Sequence, residues 1–189
     1  MTKDIAELFR RANDAFGDKV HAVRDDQWAN TTPCTEWNVR MLANHLIAEN
    51  LWIPPLLDGK TIEDVGDRFD GDVTGQDPKA TWDQAAKETN EAVAQEGAME
   101  RTVHLSYGDV PGERYLSEVF CDLVVHGWDL ARAIGADEAM DPELLDACFD
   151  IGVPIVKKWK AFGMFGPEIE PPPGADRQTE LLALYGRVA

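Results

Sequence analysis

Tyr115-Leu-Ser-Glu-Val-Phe-Cys-Asp-Leu-Val-Val-His-Gly-Trp-Asp-Leu-Ala-Arg-Ala-Ile-Gly135 reads as one amphipathic helix. Leu116, Phe120, Leu123, Gly127, Leu130 and Ile134 recur at three- and four-residue steps, the period of a helix that buries one face. Gly135 supplies a C-terminal stop. At about 100° per residue, Asp122, His126 and Asp129 fall within roughly 60° of arc, along the edge of the apolar stripe. A carboxylate and an imidazole so close to a buried face are costly unless they are partnered.

Upstream of this helix the pattern repeats. Thr2 is placed to cap a first helix running to about Asp25, with Ile5, Leu8, Phe9, Ala12, Phe16, Val20 and Val23 inward and Gly17 as a local weak point. Residues 30–34 are loop by composition. Asn38 caps a second helix from Val39 to about Trp52. Its stripe is Val39, Leu42, Leu46 and Ile53, with His45 beside it, and Pro54 and Pro55 are expected to end it. Residues 58–76 read as a long, exposed, acidic crossover. Asp77-Pro78 starts a third helix that stops near Gly97, with Trp82, Ala85, Ala86, Thr89 and Val93 inward. Residues 101–107 alternate like a short strand, and 108–112 read as a turn.

Downstream, Asp141-Pro142 opens a fifth helix, with Leu144, Leu145, Cys148 and Ile151 inward and a kink expected at Gly152 and Pro154, before Trp159. Pro171-Pro-Pro173 fits an extended wrap, and Thr179 to Tyr185 a last helical turn or two. The sum is an all-α chain: a single domain, 1–189, with helices over about 2–25, 38–53, 77–97, 115–135 and 141–160 and a tail over 162–189.

The chain carries 18 basic and 35 acidic residues, a net charge of −17. Nucleic acid and anionic membranes both need a basic footprint, so neither is an expected partner. No apolar run is long enough to span a bilayer and no signal segment opens the chain, so a cytoplasmic location is expected. Cys34, Cys121 and Cys148 have no CxxC spacing, which argues against a disulfide framework or a cysteine zinc knuckle. Cys34 precedes the helix that bears His45 and is the one thiol kept as a functional candidate. Cys121 is turned away from Asp122 and reads as a small buried hydrophobe. His21 and His104 default to the surface. Trp37, Trp52 and Trp128 read as core anchors.

Two segments carry a family resemblance. Pro33-Cys-Thr-Glu-Trp-Asn-Val-Arg-Met-Leu-Ala-Asn-His-Leu46 resembles the second-helix motif of the DinB-like superfamily, in its mycothiol-dependent maleylpyruvate isomerase branch. Asp122-Leu-Val-Val-His-Gly-Trp-Asp-Leu-Ala131 resembles the partner helix. The tail, Phe165-Gly-Pro-Glu with Asp176 to Gly186, is similar to the end of small members. The resemblance implies a four-helix bundle with a long crossover, one extra C-terminal helix, and a divalent metal held between two helices. Its ligands would be His45, Asp122 and His126, with Asp122 standing where Glu or His is usual. The isomerase carries a further C-terminal domain that this tail does not resemble, so maleylpyruvate is not the expected substrate.

The residues themselves agree with that ligand set and leave alternatives open. Two histidines and a carboxylate suit an open catalytic zinc site, and nickel, copper and iron accept the same donors. A histidine and an aspartate one turn apart can equally be a plain hydrogen-bonded pair. Asp129 and Glu49 stand one turn from His126 and His45, as partners that would orient the imidazoles. Alternatively Asp129 pairs with Arg132 or Arg40, and His45 with Glu49 is an ordinary helix pair. Three functions follow. The first is metal-dependent thiol chemistry on a small electrophile, by S-transfer or isomerisation, with mycothiol as the implied low-molecular-weight thiol. The second is a metal-assisted hydrolase of a small substrate. The third is a non-catalytic metal or small-molecule binding protein. Homodimerisation through exposed apolar strips is an open expectation.

Overall fold

In a computed structural model of the chain, residues 4–160 and 169–189 are described, the side chains of 158–160 excepted. The Thr2 cap, the Trp159 side chain and residues 161–168 lie outside them. Helix α1 is Ile5–Ala22, capped by Asp4, whose carboxylate accepts from the Ala6 amide at 3.0 Å. It ends three residues before the expected Asp25, and Asp25–Gln27 forms a single 3-10 turn. Its predicted stripe is buried throughout. Gly17 is a notch rather than a weak point: a Cβ there would sit 2.6 Å from Trp82 Nε1.

Helix α2 is Val39–Leu57 and runs through Pro54 and Pro55. The expected stop fails for an identifiable reason. Pro54 has no N–H to return to the Asn50 carbonyl. Thr89, on the neighbouring helix, donates its hydroxyl to that carbonyl at 2.6 Å instead. The buried backbone group is satisfied from outside the helix, and the helix continues. Helix α3 is the short Ile62–Val65, inside the segment read as an exposed crossover. That segment is tied down. Arg40 meets Asp72 at 3.1 Å and the Gly75 carbonyl at 2.7 Å, and Asn44 exchanges hydrogen bonds with Gly71 and Val73. Thr74 is fully buried.

Helix α4 is Pro78–Val93, ending earlier than expected, and is capped by Asp77. Strands β1, Thr102–Leu105, and β2, Gly108–Pro111, pair antiparallel, with Val103 opposite Val110. The expected turn at 108–112 is therefore the second strand of a hairpin whose loop is Ser106-Tyr107. Helix α5 is Gly112–Ile134 and ends on Gly135 in the left-handed conformation, as its sequence predicts. Helix α6 is Pro142–Lys160, uninterrupted at Gly152 and Pro154. Gly152 makes room for a neighbour, since a Cβ there would lie 2.4 Å from the Tyr185 hydroxyl oxygen. Pro171-Pro-Pro173 leads into a turn closed by Ala175 N–H to the Pro172 carbonyl, and α7 is Arg177–Leu184.

The architecture is mostly helical with one small two-stranded sheet. Helix α1 packs on α5 and α4, α2 on α4 and α5, and α6 on α5. The core lies between them, around Phe9, Phe16, Leu46, Ile53, Leu116 and Phe120. This arrangement sets the polar edge of α5 opposite the His45 side of α2. Among the described residues no helix is long and apolar enough to cross a membrane.

Candidate metal centre

Helix α5 fixes Asp122, His126 and Asp129 on one side, one turn apart in succession. Helix α2 brings His45 to them. His45 Nε2 lies 3.4 Å from Asp122 Oδ2, and one donor atom each from His45, Asp122 and His126 lie within 4.8 Å of one another. Trp37, read as a core anchor, is half-buried against the core and also packs against both imidazoles, with ring centroids 4.8 Å from His45 and 5.7 Å from His126. The other two tryptophans differ: Trp128 is buried, and Trp52 stacks edge-on against Phe69.

The other face of His126 is closed by a buried ion pair. His126 Nδ1 is 2.9 Å from Asp129 Oδ2, and Asp129 is fully buried. Its counter-charge is neither Arg132 nor Arg40, which pair with Glu138 and Asp72. It is Arg187, in the tail, whose Nη2 lies 2.8 Å from Oδ2 and whose Nε lies 3.3 Å from Oδ1. Cys34 completes the cluster, with Sγ 3.4 Å from Asp129 Oδ2, 3.9 Å from His126 Nδ1 and 3.0 Å from Arg187 Nη2. The loop that carries it is pinned to the end of α5. Asn30 and Gln27 donate to the Ala133 and Ile134 carbonyls, and Thr32 Oγ1 accepts from the Cys34 amide. Nothing in the sequence near residue 187 marked it for this role.

Electrostatics follow from burial and these contacts. Burial pulls His45 down, but the hydrogen bond to Asp122 and the charges of Asp122 and Glu49 outweigh it and leave it raised. Burial pushes Asp122 up, and the bond to His45 with the charges of His126 and Arg187 brings it below the usual range. Asp129 is lowered in the same way, by His126 and Arg187 against burial. Burial, with the Asp129 charge, pushes the Cys34 thiol up to about 12 in spite of Arg187. Glu49 is pushed by burial to about 7. It bears on His45 by charge and faces the same space.

That space is a cavity of about 1050 Å³, lined by Cys34, Trp37, His45, Glu49, Asp122 and His126 among others. Its size suits a small molecule with a few polar anchors. A second groove of about 690 Å³, between α1 and α4, holds the exposed His21–Asp83 pair and no converging set of metal donors among the described residues. His104 likewise pairs at the surface, with Asp109.

The sequence profile of the mycothiol maleylpyruvate isomerase N-terminal domain matches residues 9–131. The chain belongs to that family. The uncharacterized proteins MT0763 and Rv0738, from two strains of Mycobacterium tuberculosis, are each 36% identical over 135 residues, covering 71% of this chain and 70% of the relative. No solved structure matches the chain. The match takes in Cys34, His45, Asp122, His126 and Asp129, and Arg187 lies beyond it.

Two imidazoles and a carboxylate are the donor types a divalent metal takes, and one of their spacings matches a bound ion. A tetrahedral ion with bonds of about 2.0–2.1 Å spaces its ligands by roughly 3.3–3.4 Å. The gap between His45 Nε2 and Asp122 Oδ2 is 3.4 Å, so the short side chain of Asp122 reaches far enough. With Nδ1 of His126 engaged by Asp129, Nε2 is the nitrogen left for an ion.

Proposed function

We propose that His45, Asp122 and His126 hold a divalent metal ion, zinc first and nickel next, and that the chain performs thiol chemistry on a small electrophile. One observation carries this reading. Donors from two helices converge on the wall of a cavity with room for both a thiol and its acceptor. We place the site in a single domain, 1–189, built as a DinB-like four-helix bundle of α1, α2, α4 and α5.

When bound, the ion lowers the pKa of a coordinating thiol and so supplies thiolate near neutral pH. Asp129 holds the ring of His126 and keeps its proton on Nδ1. Trp37 restrains both imidazole rings. Glu49 lines the same cavity and is the carboxylate placed to take the proton that the incoming thiol gives up. Cys34, raised to about 12, stays a thiol at neutral pH, which leaves the nucleophile to a low-molecular-weight cosubstrate. Family membership makes mycothiol the first such thiol to test. The new bond joins its sulfur to the electrophilic carbon, the bond from that carbon to its leaving group breaks with the electron pair going to the leaving group, and the thiol proton passes to Glu49. S-transfer, rather than isomerisation of maleylpyruvate, is the reaction class proposed.

Elemental analysis of tag-free protein, with a thiol-conjugation assay, tests this. About one equivalent of metal is expected, and His45→Ala should lose most of it while keeping its helicity. Turnover of an electrophile should require added thiol. Full metal content in His45→Ala, or equal turnover without thiol, would remove the proposal.

A further inference from the structure

His126 is flanked by donors on both sides. His45 and Asp122 form one trio with it, and Cys34 and Asp129, around Nδ1, form the other, with Cys34 also on the cavity wall. Both trios bring one donor atom per residue within 4.8 Å of the others. They differ in what stands among them. The second trio already contains a cation: Arg187 Nη2 is 2.8 Å from Asp129 Oδ2 and 3.0 Å from Cys34 Sγ. Arg187 is also held by its own backbone, with Nη1 donating to the Tyr185 carbonyl at 2.7 Å.

We propose that Cys34, His126 and Asp129 form a second, latent position for a thiophilic metal ion, and that Arg187 keeps it shut. Sulfur, imidazole and carboxylate together suit ions that favour thiolate. A guanidinium and a metal ion cannot share one carboxylate and one sulfur at these distances without strong repulsion. Occupation of the position therefore requires Arg187 to leave. Cys34 then gives its proton to solvent and its lone pair to the ion. Arg187 is on this account a specificity-determining residue, which directs an ion to His45 and Asp122 and keeps Cys34 out of coordination. The statement about His45 and Asp122 rests on the proposed function, whereas the latent position does not.

Cobalt(II) titration followed by absorption spectroscopy separates the two positions, because only a bound thiolate gives an intense sulfur-to-metal charge-transfer band. The wild-type chain should bind cobalt without that band. Arg187→Ala and Arg187→Gln should gain it, Arg187→Lys should not, and adding Cys34→Ser to Arg187→Ala should abolish it. A band in the wild type would overturn the proposal. So would cobalt-loaded Arg187→Ala and Arg187→Gln that are folded by circular dichroism and lack it. If neither variant folds, the wild-type spectrum decides: no band supports the closed position, and a band refutes it. Failure of the wild type to bind any cobalt would count against the His45 trio, and the band in Arg187→Ala would still decide the latent position.

Discussion

Asp129→Asn is the most informative single change. The wild-type carboxylate is fully buried and meets Arg187 through both oxygens, at 2.8 and 3.3 Å, and His126 at 2.9 Å. Asparagine keeps the shape but removes the charge, and it turns one acceptor into a donor that faces a donor. Arg187 is left as a cation whose side chain is only 14% exposed. Breaking a buried pair from one side costs about 3–5 kcal/mol. Urea unfolding of chelator-treated protein should register a loss in that range, with little change in the slope of the transition. If His126 ligates as proposed, losing its partner should also weaken metal binding about 10–100-fold, read by competition with a chromophoric chelator. The double variant with Arg187→Met should recover part of the stability, because no lone charge remains. A loss below about 1 kcal/mol, or single and double variants that simply add, would mean that Asp129 and Arg187 do not act as a pair.

The other predictions concern the packing and charge that hold this arrangement. Gly17→Ala should destabilise by about 1–3 kcal/mol, because its Cβ would press on Trp82, and a higher melting temperature would count against the notch. Thr89→Val should cost about 1–3 kcal/mol by leaving the Asn50 carbonyl without a donor, and an unchanged urea midpoint would show that the helix needs no such help. Glu49→Gln should alter the pH dependence of stability in the metal-free protein. The folded-state pKa is raised from 4.5 to about 7, so the wild type keeps this contribution below pH 4.5 and loses it as pH rises through 7. The variant should match the wild type near pH 4.5 and exceed it by roughly 3 kcal/mol at pH 8, and equal differences at both pH values would refute the burial of this carboxyl.

Helix α5 was legible because one long apolar stripe and a glycine stop define it. Only its start was missed, because Pro111 and Gly112 look like turn residues. In the fold, Gly112 and Glu113 donate to the Arg101 and Met99 carbonyls, and these contacts come from outside the helix. Helix α2 failed in the same way at its other end. The proline rule is local, and Thr89 answers it from another helix. The crossover is largely exposed, as its acidic composition predicts, but that composition does not reveal Arg40 and Asn44, which hold it against α2. Where periodicity decides an element the sequence suffices, and where a distant side chain supplies a missing partner it does not.

The site divides along the same line. Asp122, His126 and Asp129 stand out as polar residues at helical spacing beside a buried face, and a buried aspartate demands a cation. Local spacing offered Arg132, on the same helix, yet that guanidinium lies over Trp128 and reaches Glu138. The cation arrives from residue 187, carried by the turn after α7. That distance in sequence matters for the chemistry. Arg187 balances the Asp129 charge at 2.8 Å, while the same carboxylate oxygen holds His126 through Nδ1 at 2.9 Å and leaves the other ring nitrogen outside this contact. The polar motif on α5 is therefore completed only by the tail, because Arg187 supplies the counter-charge that no arginine on the same helix gives to Asp129.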